Sequence, residues 1–78
     1  MALLRLLGPA RDAAGTARAD VPGATVGEVL DHARARFGDR FATVLEHSAT
    51  WLNGGPAALD ESVGEDDEVA VLPPVSGG

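Results

Sequence analysis

The stretch that decides the fold runs Thr25-Val26-Gly27-Glu28-Val29-Leu30-Asp31-His32-Ala33-Arg34-Ala35-Arg36-Phe37-Gly38. Thr25 and Glu28 have the spacing of a capping box, which predicts a helix start. Gly38 predicts a left-handed helix end. One apolar stripe recurs at helical spacing: Val26, Val29, Leu30, Ala33 and Phe37. Because a helix with a single apolar stripe must bury it against another layer, we expect this helix to lie on a β-sheet.

Strand signals precede this helix. Residues 2–8 are short and apolar and end at Gly8-Pro9, which predicts a buried strand closed by turn residues. Residues 9–15 form a connection with one helical turn. Residues 16–21 alternate poorly and stop at Pro22-Gly23, which indicates a weaker strand at an exposed edge.

Further elements follow the helix. Residues 39–46 predict a short second helix, and residues 49–52 predict a third strand that leads into Asn53-Gly54, a strong hairpin signal. The adjacent Gly55-Pro56 would widen that turn, so the brief fourth strand is expected at residues 57–59. Residues 68–72 predict the last strand, which Pro73-Pro74 ends.

This order predicts an α+β fold, with a mixed sheet of four to five strands covered by one main helix. Residues 2–7 and 68–72 are expected to be central and parallel to each other, because the chain crosses over between them. The expected division is a folded domain at residues 1–72 and a flexible tail at residues 73–78. Val63 is expected to contribute to the core.

Composition restricts the function classes. The 78 residues contain no cysteine, which excludes disulfides and thiol nucleophiles, and the net charge is −6. All six basic residues are arginine, with no basic face visible, so neither nucleic acid nor an anionic membrane is an expected partner. An acidic domain of this size would be steered toward basic protein surfaces, if the charge does more than maintain solubility. We expect a cytoplasmic protein without a membrane segment.

Candidate sites inside the domain are scarce. His32 lies off the apolar stripe and is expected to be exposed. His47 lies at a predicted helix end, where a helix-capping role is at least as plausible as a role in a functional site. Trp51 reads as packing within a strand. The acidic run Glu65-Asp66-Asp67-Glu68 reads as a solvated turn, and no metal site is expected.

The tail, Leu72-Pro73-Pro74-Val75-Ser76-Gly77-Gly78, is the exception. Its two prolines stiffen the exit from the last strand. Gly77 and Gly78 lack side chains, so they could thread a narrow channel and present the terminal carboxylate as a reagent. An ordinary frayed terminus is the plain alternative.

The chain resembles the MoaD/ThiS sulfur carriers, which have the ubiquitin-like β-grasp fold. The resemblance is strongest over residues 63–78, which look like the family's closing turn, strand and tail, and it extends to Arg5–Gly15, Thr25–Leu30 and Leu52-Asn53-Gly54. The Pro-Pro-Val before Gly-Gly is similar to the molybdopterin branch. Leu6-Leu7 and Leu72 depart from that branch, where aromatic residues are common.

The resemblance implies a function for the tail. An ATP-dependent enzyme similar to ubiquitin-activating enzymes would adenylate the Gly78 carboxylate behind Gly77, and a cysteine desulfurase or rhodanese-type protein would supply sulfur for a thiocarboxylate. Pro73, Pro74, Val75 and Ser76 would contact partners, including the large subunit of molybdopterin synthase. The carrier would bind no cofactor and would not be catalytic alone.

Other functions remain open at this stage. The sulfur could go to thiamine, to cysteine or to a sulfur-containing natural product. The chain could instead be a ubiquitin-like modifier joined to target lysines through Gly78, or a β-grasp binding module with an inert tail. Lysine is absent from the chain, so an activated acyl group would find no lysine on its own chain.

Overall fold

A mixed five-stranded sheet carries its helices on one face in the computed structural model, which describes residues 1–74. The elements follow the chain in the order β1 Ala2–Leu6, α1 Pro9–Ala14, β2 Arg18–Val21, α2 Val26–Phe37, α3 Asp39–Glu46, β3 Ala49–Leu52, β4 Gly55–Pro56 and β5 Glu68–Leu72. The strand order across the sheet is β2-β1-β5-β3-β4. The predicted α+β class is therefore confirmed, with α1 and α3 accompanying the main helix.

The centre of the sheet is the predicted parallel pair. β1 and β5 pair in the register Leu3 with Glu68 through Leu6 with Val71. β2 and β3 flank this pair in antiparallel orientation, and β2 is the edge strand expected from its weak alternation. Because β5 is central, the chain reaches its tail directly from the middle of the sheet.

The core lies between the sheet and the helices. Alternate residues of β1 and β5 point inward, as period-2 geometry requires, and they meet the stripe of α2. Val26, Val29, Leu30 and Ala33 are buried, whereas Phe37 is half-buried and packs on Phe41 of α3 with ring centroids 5.1 Å apart. Val63 is half-buried against the core, as expected.

The start of α2 differs in detail from a capping box. The Thr25 hydroxyl accepts a hydrogen bond from the Glu28 N–H at 3.2 Å, but the Glu28 carboxylate accepts from the N–H of Ala24 instead of Thr25. Two further donors of the first turn, the N–H groups of Val26 and Gly27, bind carbonyls of the loop at residues 59–61. The helix start is thereby fixed to the chain that leads into β5.

Gly38 does not form the left-handed helix end that the sequence predicts. Its φ is +92° but its ψ is −172°, which is an extended conformation open mainly to glycine. The reason is that α3 begins at the next residue, so Gly38 turns the chain between two helices instead of closing one.

The prediction of a fourth strand at residues 57–59 is wrong. Asn53 and Gly54 form a tight turn with φ values of +50° and +86°, and Gly55-Pro56 then pairs with Trp51 and Leu52 as β4. The following N–H of Ala58 is taken by the Glu61 carboxylate at 2.8 Å, which turns the chain away from the sheet. Pairing with β3 thus outweighs the turn character of Gly-Pro.

Candidate functional site

The point where the chain leaves β5, here called the tail root (Leu72, Pro73 and Pro74), packs against the turn after β1. Gly8 in that turn has a φ of +58°, and a Cβ placed on it would lie 2.9 Å from Cγ of Pro73. Glycine is therefore required at position 8 for two reasons: the backbone conformation and the close approach of the proline ring. The β1–α1 turn and the tail root form one unit.

An apolar cleft lies beside the tail root on the sheet face that the helices leave uncovered. This outer-face cleft has a volume of about 330 Å³, and Leu7, Trp51, Ala70 and Leu72 supply its apolar walls. Trp51 stands opposite Ala70 on the neighbouring strand, so the small alanine leaves room beside the indole ring. Leu7 is 39% exposed. These exposed apolar walls make the cleft a candidate contact surface for a partner protein.

A second apolar surface lies on the other side of the tail root. This rear groove also has a volume of about 330 Å³. Its walls come from the start of α1, the end of α3 and the tail root: Pro9, Thr43, Val44, His47, Ser48, Pro73 and Pro74. The tail therefore begins between two apolar surfaces. Neither proline has an N–H to donate, so no backbone hydrogen bond from these two residues ties the tail root to the sheet.

Three of the six arginines line a third space at the tail root, here called the arginine cavity. Arg5, Arg11 and Arg18 surround about 240 Å³ together with Leu7 and Gly8. Arg5 also contacts Glu68 at 3.4 Å, with both side chains partly exposed. The charged residues that line this cavity are all arginines, although the net charge of the chain is −6.

The opposite end of β5 is held by a network of polar contacts. Asn53 exchanges two hydrogen bonds with Glu68, because its side-chain oxygen accepts from the Glu68 N–H and its own N–H donates to the Glu68 carbonyl, each at 2.9 Å. The Asp67 carboxylate accepts from the Gly64 N–H at 2.8 Å and from the Asn53 side chain at 3.0 Å. These two hydrogen bonds, that from Gly64 first, lower the pKa of Asp67 from its ordinary value of 3.8.

The structure places two of the predicted tail residues, Pro73 and Pro74, exposed at the tail root. The other four predicted site residues lie outside the described residues: Val75, Ser76, Gly77 and Gly78. The charged lining of the arginine cavity comes from other elements, namely β1, α1 and β2.

The candidates inside the domain are located as follows. His32 is exposed on α2, and the N–H of His47 donates to the carbonyl of Val44 at the end of α3. Residues 65–67 of the acidic run lie in the turn before β5, and Glu68 is the first residue of that strand. Within residues 1–74, histidine, aspartate and glutamate form no group of three that could hold a metal ion.

Sequence reasoning assigned no site role to Gly8, Leu7 or the three cavity arginines. The sequence shows three arginines within residues 5–18, and the structure places one on each of β1, α1 and β2. Periodicity does not show that β1 and β2 pair with Arg5 directly opposite Arg18, because this pairing is a tertiary feature.

A mixed sheet that holds its helices on one face and releases a tail from its central strand defines a ubiquitin-like β-grasp protein. The chain belongs to the ThiS family, whose model matches residues 4–78.

Known relatives agree with this assignment. Small archaeal modifier protein 1 of Haloferax volcanii is 43% identical over an alignment of 72 residues, and the match covers 81% of this chain and 82% of the relative. A crystal structure of that protein superposes with a TM-score of 0.78 at 33% identity and covers 97% of each chain. The chain is thus a ubiquitin-like sulfur carrier or modifier by family.

Two more distant structures share the fold. A chain from the BexX/CysO complex of Amycolatopsis orientalis matches with a TM-score of 0.81 at 21% identity, covering 100% of both chains. A Pyrococcus furiosus protein described as subunit 1 of a molybdopterin converting factor matches at 0.75 and 20%, covering 95% of this chain and 97% of that one. Among residues 1–74, no helix is both long and apolar enough to cross a membrane.

Proposed function

We propose that this chain is a sulfur carrier that presents the Gly78 carboxylate to an adenylating enzyme and then holds sulfur there as a thiocarboxylate. The observation that carries the proposal is the tail root, where the central strand ends on two prolines between two apolar surfaces. The family match that includes Gly77 and Gly78 supports it.

The chemistry assigns the chain the part of a substrate. A carboxylate is a poor electrophile, so the partner enzyme would transfer AMP from ATP to the Gly78 oxygen and release pyrophosphate. The outer sulfur of a protein persulfide, carried by a cysteine desulfurase or a rhodanese-type protein, would then displace AMP from the acyl carbon and form an acyl disulfide. A second thiol would cleave the S–S bond of this intermediate, which leaves the thiocarboxylate on Gly78 and a disulfide on the donor. The chain's own residues bind the partner and orient the tail.

Docking follows from the surfaces beside the tail root. The outer-face cleft offers Trp51 and Leu7 as apolar contacts, and aromatic side chains with one exposed edge are typical anchors in interfaces. Pro73 and Pro74 restrict the backbone before the glycines, which reduces the entropy lost when the tail enters a channel. Val75 would be the first apolar residue of the tail to meet the partner.

The proposed sulfur acceptor is the pyranopterin precursor of the molybdenum cofactor, with this chain as the small subunit of molybdopterin synthase. The Pro73-Pro74-Val75 sequence before Gly-Gly supports this branch. A second function, attachment to lysines of other proteins, is favoured by the 43% identity to small archaeal modifier protein 1.

The test of the carrier function is the intact mass of the purified chain. Incubation with an adenylating enzyme from the same organism, ATP, a cysteine desulfurase and cysteine should add about 16 Da, which is the exchange of oxygen for sulfur. Omission of ATP and a chain that ends at Ser76 are the matched controls. An unchanged mass under complete conditions would contradict the proposal.

The acceptor is tested in a second step. The thiocarboxylate form, mixed with the large subunit of molybdopterin synthase and the pyranopterin precursor, should lose the added mass as the dithiolene product forms. For the modifier function, cell extracts should instead contain target proteins heavier by about one chain, whose mass is 7.9 kDa. Their absence would remove the second candidate.

A further inference from the structure

The arginine cavity has a charge arrangement that folding alone does not favour. The Leu6 N–H donates to the Ala17 carbonyl at 2.9 Å, which makes these two residues a hydrogen-bonded pair of the β1–β2 ladder. The adjacent pair, Arg5 with Arg18, is then of the non-hydrogen-bonded kind, in which facing side chains are closer, with Cα atoms about 4.5 Å apart. Like charges directly opposite each other destabilise a sheet.

Local carboxylates offset this repulsion only in part. Arg5 reaches Glu68 at 3.4 Å, but half of the arginine side chain and more than a third of the glutamate side chain are exposed, so water screens the pair. Within residues 1–74, Arg11 and Arg18 contact no carboxylate within 4 Å, although the chain carries twelve acidic residues. The cavity therefore concentrates positive charge on a molecule of net charge −6.

We infer that the arginine cavity receives an acidic side chain, aspartate or glutamate, at the mouth of the partner channel that takes the tail. The inference rests on the proposed function for the identity of that partner. The cavity adjoins the tail root through Gly8 and shares Arg5 and Leu7 with the outer-face cleft. A partner that covers the cleft and accepts the tail must therefore face the cavity.

The length of the tail favours a carboxylate over the phosphate of the activated terminus. The four residues beyond Pro74 span about 14 Å when extended. A phosphoryl group bonded to Gly78 would lie that far from the tail root inside the channel, whereas the cavity stays at the mouth. The planar fork of arginine donors binds carboxylates in two-point fashion, so the contact would also fix the orientation of the docked domain.

The first test measures the kinetics of adenylation with the full chain and the adenylating enzyme in pyrophosphate exchange. The double variant Arg11→Gln/Arg18→Gln should raise the KM for the carrier about tenfold, because each partly exposed charge pair is worth up to about fivefold, and it should leave kcat unchanged. Arg40→Gln, an exposed arginine of α3 outside the cavity, is the matched control. An increase in salt concentration should raise the KM for the wild-type carrier more steeply than the KM for the double variant.

The second test does not depend on adenylation. A blocked hexaglutamate peptide should shift the side-chain Nε–H resonances of Arg5, Arg11 and Arg18 in the labelled full chain, but not that of Arg40. Inorganic phosphate that saturates the same resonances at a lower concentration would identify a small-anion site and overturn the inference.

The remaining outcomes of these tests contradict either the inference about the cavity or the proposed function. A double variant with the KM of Arg40→Gln, or cavity arginines that respond to the peptide no more than Arg40 does, would overturn the inference. A wild-type chain that is not adenylated would overturn the proposed function, and the peptide titration would then decide the cavity alone.

Discussion

Ladder pairing holds both ends of β5, but the other interactions that hold the two ends differ in kind. At the amino end, Asp67 and Glu68 are fixed by short directional hydrogen bonds to Asn53 and Gly64. At the carboxyl end, Pro73 is held by its shape against Gly8 and by the walls of the rear groove.

Because of this difference, the amino end of β5 stabilises the fold, whereas the carboxyl end presents the tail to a partner. Hydrogen bonds specify one geometry and lose their energy when a donor moves, whereas apolar contact tolerates small displacements. The amino end therefore sets the position of the central strand. The carboxyl end can present the tail to a partner without breaking a hydrogen bond donated by the backbone of Pro73 or Pro74, because proline has no N–H.

The largest expected effect on function comes from removing the end of the tail. Deletion of Gly77 and Gly78 should abolish thiocarboxylate formation, because the reacting carboxylate is displaced from the channel. The free energy of unfolding should change by no more than about 0.5 kcal/mol, since neither glycine has a side chain to bury. Intact mass and thermal denaturation measure the two quantities. Normal thiocarboxylate formation by the truncated chain would contradict the carrier function.

The core beneath both ends gives the largest expected effect on stability. Leu30 of α2 is 2% exposed, so Leu30→Ala should lower the free energy of unfolding by about 2–5 kcal/mol through lost burial and a residual cavity. Chemical denaturation checks this value. His32→Ala, an exposed change on the same helix, is the control, and a loss below about 0.5 kcal/mol for Leu30→Ala would contradict the assignment of the core.

The packing of the tail root is tested at Gly8. Gly8→Ala should cost about 1–3 kcal/mol from the strained backbone and should also displace Pro73, because the new Cβ would lie 2.9 Å from its ring. Gly15→Ala is the matched control, since Gly15 has a φ of +77° and no atom within 4 Å of the added Cβ. Adenylation measured at equal folded fractions should be slower for Gly8→Ala alone. Equal rates would show that this contact does not position the tail.

The smallest expected effect is the response of the amino end to pH. Asp67 has a lowered pKa in the folded chain, so its carboxylate stabilises the fold above about pH 4, and this contribution is lost as the pH falls from 3.8 through the lowered value. Asp67→Asn should make stability less dependent on pH in that window. Asp66→Asn, in the same turn, is the control, and identical pH profiles for wild type and Asp67→Asn would contradict the role of the hydrogen bonds.

The sequence predicts the helices and the two central strands well because their signals are local, and the crossover connection between these strands predicts that they are parallel. The stripe of α2 and the apolar runs of β1 and β5 are visible in any short window. β4 was missed because Gly55-Pro56 has the composition of a turn and becomes a strand only through its partner β3.

The site is less predictable for a related reason. Pro73 and Pro74 were identified from the tail itself, whereas the arginine cavity joins residues from β1, α1 and β2. A one-dimensional pattern carries neither the register that places Arg5 opposite Arg18 nor the contact of Gly8 with Pro73.

The central position of β5 also has a mechanical consequence. A force that pulls on the tail acts along β5, and the ladders to β1 and β3 both lie across that direction. Their hydrogen bonds are then loaded together in shear, instead of one after another as in unzipping. Forced unfolding is governed by the unfolding rate. We therefore expect the domain to unfold slowly when a partner pulls on the tail along the direction of β5.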